Sequence, residues 1–238
     1  MWLTALGLYY LSALVTYLVT SSILWALYRL GKHEYLLPTS FMLYTLLLTT
    51  SQYLASKIGA IGPVMFPMGL ITYSASVAVL DYITLRFGRG YGYTVVRIAV
   101  AAQLLIAVLN YLIIEFPPAP VWGLQRAFSE VMSVNARIVV ASVIAFTASQ
   151  TYDVYLVSRL RGGVLRRVGY SDPISMLIDS LVFVPTAFYG VIPSNELILI
   201  ALYQALGKVM LTPLTMAAVW LNRHALRYGL VSQGQRQL

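Results

Sequence analysis

Seven unbroken apolar runs constrain this chain more than any other feature. They cover residues 2–28, 37–58, 64–86, 94–115, 136–158, 173–192 and 196–221. A helix needs about 20 apolar residues to cross a hydrocarbon core about 30 Å thick, and each run meets that length. The runs are continuously apolar and do not alternate at period two, so helices are expected and a barrel is not. Charged residues are only 10% of the chain, against about 25% in soluble domains. So few cannot cover a water-facing surface. The fold class expected is all-α: a polytopic membrane protein.

The basic residues set the orientation. Arg29 and Lys32 follow the first run, and Arg86, Arg89 and Arg97 surround the loop after the third. Arg159, Arg161, Arg166 and Arg167 fill the loop after the fifth, and Arg223, Arg227 and Arg236 lie in the tail. Twelve of the 16 Lys and Arg therefore fall on one side if all seven runs span. That side is cytoplasmic by the positive-inside rule. The N-terminus is expected outside, the C-terminus inside, and the protein in the cell membrane. The net charge of +8 is spread over these short loops, so it points to the membrane and not to nucleic acid.

The first run lacks a positive leader region and is about 28 residues long. A signal-peptide core has roughly 7–15, so a retained helix is expected, peripheral and facing mostly lipid. The segment Phe116 to Ala136 carries three early prolines, which forbid a continuous helix there. Within it, Trp122, Leu124, Phe128 and Met132 suit a short interfacial helix. A plain connecting loop and a lid over an outer vestibule both stay open. There is no cysteine, and the two histidines, His33 and His224, flank helix ends. Thiolate chemistry and a His-based metal site are thereby disfavoured. No cofactor is expected.

Five runs carry polar stripes at helical spacing. The second has Thr45, Thr49, Gln52 and Ser56; the third Ser74, Asp81 and Thr84; the fifth Ser142, Phe146, Ser149, Gln150 and Asp153. The sixth has Asp172, Ser175, Asp179, Phe183 and Thr186, and the seventh Gln204, Lys208, Thr212 and Thr215. Polar groups lose hydrogen bonds against lipid, so each stripe should turn inward. Asp81 lies five residues before Arg86, Asp153 six before Arg159, and Asp179 seven after Asp172. At 1.5 Å per residue, all three fall about 8–10 Å inside the cytoplasmic ends. They are expected to converge near one level, with Lys208 above them. Buried ionisable groups usually mark a pathway or a site; interhelical glue is the alternative. Arg137 lies 16 residues before Asp153, about 160° away around a straight helix, and reads equally as an interface anchor.

These residues carry a likeness. VNARIVVASVIAFTASQTYDVYLVSRLR (Val134–Arg161) resembles the fourth helix of the queuosine-precursor transporter family, also called the vitamin uptake transporter family, with Arg137, Ser142, Gln150 and Asp153 in order. SDPISMLIDSLVFVPTAFYG resembles the next helix through Ser171, Asp179 and Phe183, and YQALGKV resembles the last through Gln204 and Lys208. The segment FPPAPVW with Phe128 is similar to the loop before the Arg. QYLASK resembles the first helix, with Gln52 where Asn is usual, and Asp81 and Gly88 match the second. The family's second-helix Glu is Leu85 here, a Pro near Ser74 is absent, and Met176 replaces an amide.

The resemblance spans about residues 45–220 and implies a six-helix core over 37–222. Residues 1–36 would then be an additional helix and loop, and 223–238 a cytoplasmic tail. It implies import of a 7-deazaguanine base, such as 7-cyano-7-deazaguanine, used in tRNA modification. The base is flat and suits aromatic faces. Its guanine-like edge offers two donors to a carboxylate, the parallel arrangement that makes fork-like pairs strong. Asp153 is the expected edge-reading carboxylate, with Asp179 and Asp81 as competitors, Gln150 beside it and Lys208 on the ring carbonyl. The implied partners are the bilayer and the base; a second copy or a separate energising ATPase stays open. A substrate-binding subunit serving such an ATPase, an intramembrane enzyme and a scaffold are the other readings.

Overall fold

The computed structural model describes residues 2–222, apart from the side chains of 134–136; the expected tail, with His224, Arg223, Arg227 and Arg236, lies outside the described residues. Eight α-helices run in order: α1 (Trp2–Arg29), α2 (Leu36–Ala55), α3 (Leu70–Phe87), α4 (Arg89–Glu115), α5 (Gln125–Arg159), α6 (Val164–Phe188), α7 (Ser194–Met210) and α8 (Thr212–Leu221). Helices α7 and α8 are the two parts of the seventh apolar run, so the seven runs correspond to seven helical units. Five spans are long and apolar enough to cross a membrane: α1, α3, α4, α5 and the α7–α8 pair. The other two, α2 and α6, carry more polar residues, many of them turned inward. The protein is an all-α polytopic membrane protein.

Several boundaries differ from the sequence reading. First, the third run does not start its helix at 64. Strands β1 (Ile58–Ile61) and β2 (Val64–Pro67) form an antiparallel hairpin, with Ile58 opposite Pro67 and Ile61 opposite Val64. Gly62 and Pro63 turn the chain between them, and a short apolar segment flanked by prolines pairs more readily than it coils. Second, α6 starts at Val164, nine residues before the expected start, and runs through Pro173 and Pro185. Proline ends most helices, but membrane helices tolerate it when neighbours meet the freed carbonyls. Third, the seventh run breaks at Leu211. Pro213 has no N–H to give the Val209 carbonyl, so the hydrogen-bond ladder restarts.

The loop expected over 116–136 shortens to residues 116–124, because the interfacial turn joins α5. At 35 residues, α5 is about 52 Å long and exceeds the hydrocarbon core by about 20 Å. Its first turn is held by Gln125 Nε2 donating to the Ile114 carbonyl at 3.3 Å, and by edge-on packing of Trp122 with Phe128.

Helix α3 forms the centre. Every residue from Leu70 to Arg86 is buried, and it packs against all seven other helices. Gly88 alone joins it to α4, at φ +99, where a side chain is strained. At the periphery, α4 buries only Gly92, Val95, Val96, Ala99, Gln103 and Asn110, a single stripe. Helix α1 likewise buries only Tyr9, Ala13, Tyr17, Thr20, Ser21 and Leu24. Two tyrosines fasten it: Tyr9 donates to the Gly207 carbonyl at 2.7 Å, and Tyr17 meets Thr215 Oγ1 at 2.8 Å.

Candidate functional site

Helices α2, α3, α5, α6 and α7 enclose one internal pocket. Leu48, Ser51 and Gln52 reach it from α2, Tyr73 from α3, Ser142 and Phe146 from α5, Asp179 and Phe183 from α6, and Gln204 and Lys208 from α7. The spacing on α2 is one face, at steps of three and one. The sequence stripe on that helix lies at its border: Thr49 faces away and accepts from Gln103 Nε2 of α4 at 3.2 Å. Only Gln52 of the four turns fully into the pocket side.

The charged centre is an ion pair. Lys208 Nζ lies 2.5 Å from Asp179 Oδ2 and 4.1 Å from the centroid of the Tyr73 ring. The carboxylate accepts from the ammonium group, and the ring face lies within cation–π range of it. From this pair a chain of hydrogen bonds crosses the bundle. Tyr44 donates to Gln150 Oε1 at 3.3 Å, and Gln150 Nε2 donates to the Tyr73 hydroxyl at 3.0 Å. Tyr73 is then free to donate to Ser149 Oγ at 3.1 Å, and Ser149 to Asp179 Oδ1 at 3.4 Å. Every donor in the chain points toward the carboxylate. Gln204 Oε1 is buried without a hydrogen-bond partner at the pocket wall. The free space is small, about 20 Å3 open to the centre of a water molecule. That holds a water and is too little for a planar bicyclic base, so this conformation is closed around its polar groups.

A second polar group lies on the same helices. One carboxylate oxygen each from Asp81 of α3, Asp153 of α5 and Asp172 of α6 lie within 4.8 Å of one another, and all three residues are fully buried. Ser175 Oγ donates to Asp153 Oδ1 at 3.1 Å. Arg167, whose Nε donates to the Val157 carbonyl at 2.7 Å, exerts a favourable field on Asp81.

Of the sequence candidates, the pocket brings together Gln52, Ser142, Asp179, Phe183, Gln204 and Lys208. Gln150 stands behind its wall, bonded to Tyr44 and Tyr73. Asp153 and Asp81 do not line it and meet Asp172 instead. Convergence of Asp81, Asp153 and Asp179 is thus corrected to Asp81, Asp153 and Asp172. The cause is the earlier start of α6: Asp172 is eight residues into the helix, not at its mouth, and Asp179 lies two turns deeper, beside Lys208. Arg137 Nη2 donates to the Tyr189 carbonyl at 2.8 Å, at an exposed position at the end of α6, where a cation suits the helix terminus.

Sequence reasoning passed over Tyr44 and Tyr73, which look like ordinary aromatic residues of an apolar run. Their signal is helical register. Tyr44 lies four residues before Leu48 and eight before Gln52, and Tyr73 eight before Asp81.

An integral membrane bundle with a closed polar pocket between five helices has the architecture of a small-molecule carrier. The profile of the family described as "Putative vitamin uptake transporter" matches residues 67–221. The chain belongs to this vitamin uptake transporter family. It is similar to a Bacillus subtilis (strain 168) protein named "Probable queuosine precursor transporter", at 25% identity over 134 residues, covering 54% of this chain and 58% of the relative. The chain therefore aligns with less than two thirds of that relative's length. No solved structure matches the chain.

Proposed function

We propose that this protein carries a queuosine-precursor base, a 7-deazaguanine such as 7-cyano-7-deazaguanine, through the membrane, and that it acts as a transporter and not as an enzyme. The observation that carries the reading is the buried Asp179–Lys208 pair under the Tyr73 ring, set between the amides of Gln52 and Gln204. A guanine-like edge presents two N–H donors, and Asp179 accepts both. Lys208 turns toward the ring carbonyl while staying near the carboxylate, so each charge keeps a hydrogen-bond partner. Tyr73 and Phe183 supply aromatic faces. The two glutamine amides supply donor and acceptor groups for the remaining edge.

Asp179 takes the edge-reading role expected first of Asp153, because Asp179 lines the pocket and Asp153 does not. The pocket widens to admit the base, with Asp179 exchanging one partner for another. Such an exchange lets one site alternate between empty and loaded states without a bare buried charge. The distribution of basic residues over the loops supports an outside N-terminus and a cytoplasmic C-terminus.

The test is uptake of labelled 7-cyano-7-deazaguanine by proteoliposomes containing the full chain. Uptake above protein-free vesicles, competed by the unlabelled base, is expected. Uptake no faster than in protein-free vesicles, with the protein folded and inserted, contradicts the reading.

A further inference from the structure

The Asp81, Asp153 and Asp172 carboxylates serve no contact of the base pocket. Five of their oxygens, both of Asp81, both of Asp172 and Oδ2 of Asp153, are buried without a hydrogen bond of normal geometry. Ser171 Oγ is also fully buried without such a bond, and it faces both Asp153 and Asp172. An ionised carboxylate taken out of water needs a counter-charge or a full set of donors. Here three carboxylates face each other and the nearby cation is Arg167. With all three ionised, three negative charges stand against one positive and two are left to be met, by a cation or by protons.

We propose that these three carboxylates and Ser171 Oγ form a binding site for a hard cation of calcium size, either Ca2+ itself or Na+ taken together with a proton. Both choices supply the two missing charges. The ligands are all oxygen, the class that hard cations take. Mg2+ demands near-ideal octahedral geometry and keeps several waters, which an enclosed all-protein site does not supply, so the larger cations with looser geometry fit better. The carboxylate oxygens lie within 4.8 Å of one another, so one cation is reached from three different helices.

The site is separate from the base pocket but shares its helices. Asp172 precedes Asp179 by seven residues on α6, and Asp153 follows Gln150 by three on α5. Along α6 that is about 10 Å. A cation here ties α3, α5 and α6 together at the level below the pocket.

The experiment reads cation binding with no base present, so its failure is distinct from failure of the transport reading. Wild-type protein in nanodiscs of zwitterionic lipid is titrated with 45Ca2+ and, separately, 22Na+, with Mg2+ and choline as competitors. One saturable site per chain is expected, resisting Mg2+ or choline and weakened at least tenfold in Asp172→Asn. Saturation by Ca2+ identifies the divalent form; saturation by Na+ identifies the monovalent one. The remaining acidic residues are Asp179, held by Lys208, and four scattered glutamates, Glu34, Glu115, Glu130 and Glu196, so a single site points to the cluster. If Asp172→Asn does not fold, Ser171→Ala serves, with a weakening of at least threefold expected. No saturable binding of either ion to folded wild type overturns the proposal, as does binding unchanged in the variants. The carboxylates would then hold one another through shared protons.

Discussion

Lys208 and Asp179, on α7 and α6, form an ion pair of 2.5 Å with side chains only 1% and 5% exposed. A pair so enclosed is sensitive to loss of one partner. Lys208→Met leaves Asp179 buried and uncompensated, which costs about 3–5 kcal/mol. Thermal unfolding in lipid should show a large drop for Lys208→Met. The double variant Lys208→Met with Asp179→Asn should recover much of it. A single variant as stable as wild type contradicts the buried pair.

Tyr73 accepts from Gln150 and meets Ser149, so its hydroxyl closes the chain leading to Asp179. Tyr73→Phe keeps the ring over Lys208 and removes that hydroxyl. Leaving Gln150 Nε2 without an acceptor costs about 1–3 kcal/mol. The variant should remain folded, with lower thermal stability and slower base uptake. Equal stability and uptake would show that the chain of hydrogen bonds does not matter.

Gly69 opens α3 where it crosses α2. A Cβ there would lie 2.0 Å from the Ser51 carbonyl oxygen and 2.9 Å from the Ala55 Cβ. Backbone must shift to admit it, and overpacking of this kind costs about 1–3 kcal/mol. Gly69→Ala should lower the unfolding temperature more than Gly90→Ala, whose Cβ meets nothing within 4 Å. Equal shifts for the two would refute the close crossing of α2 and α3.

Arg137 donates to the Tyr189 carbonyl at an exposed position. Arg137→Ala removes one hydrogen bond from the end of α6, worth about 1 kcal/mol at most where water reaches it. Base affinity should not change. A tenfold loss of affinity with unchanged stability would place Arg137 in the binding machinery.

The seven spans were legible because lipid demands continuous apolar length, and length is visible in a sequence. The polar stripes of α5 and α7 were legible for a related reason: few polar residues interrupt those runs, and those that do share a face. Depth was not legible on α6. Pro173 marks a helix start in most contexts, so Asp172 reads as the mouth of the helix and Asp179 as level with Asp81. Tolerance of an internal proline depends on neighbouring helices, which a single sequence does not display. The hairpin over 58–67 was hidden for a similar reason. A strand of four apolar residues looks like the first turn of the following span. Tyr44 and Tyr73 were missed because a tyrosine hydroxyl gains meaning only from what stands opposite it.

The central claim is that the Asp179 pocket is the base site. Its most direct test is calorimetric titration of 7-cyano-7-deazaguanine into the full chain in nanodiscs, beside Asp179→Asn and beside 7-cyano-7-deazahypoxanthine, which lacks only the exocyclic amine. The account predicts saturable binding to wild type, at least tenfold weaker binding to folded Asp179→Asn, and weaker binding of the base without its amine. Equal affinity of wild type and Asp179→Asn would contradict it.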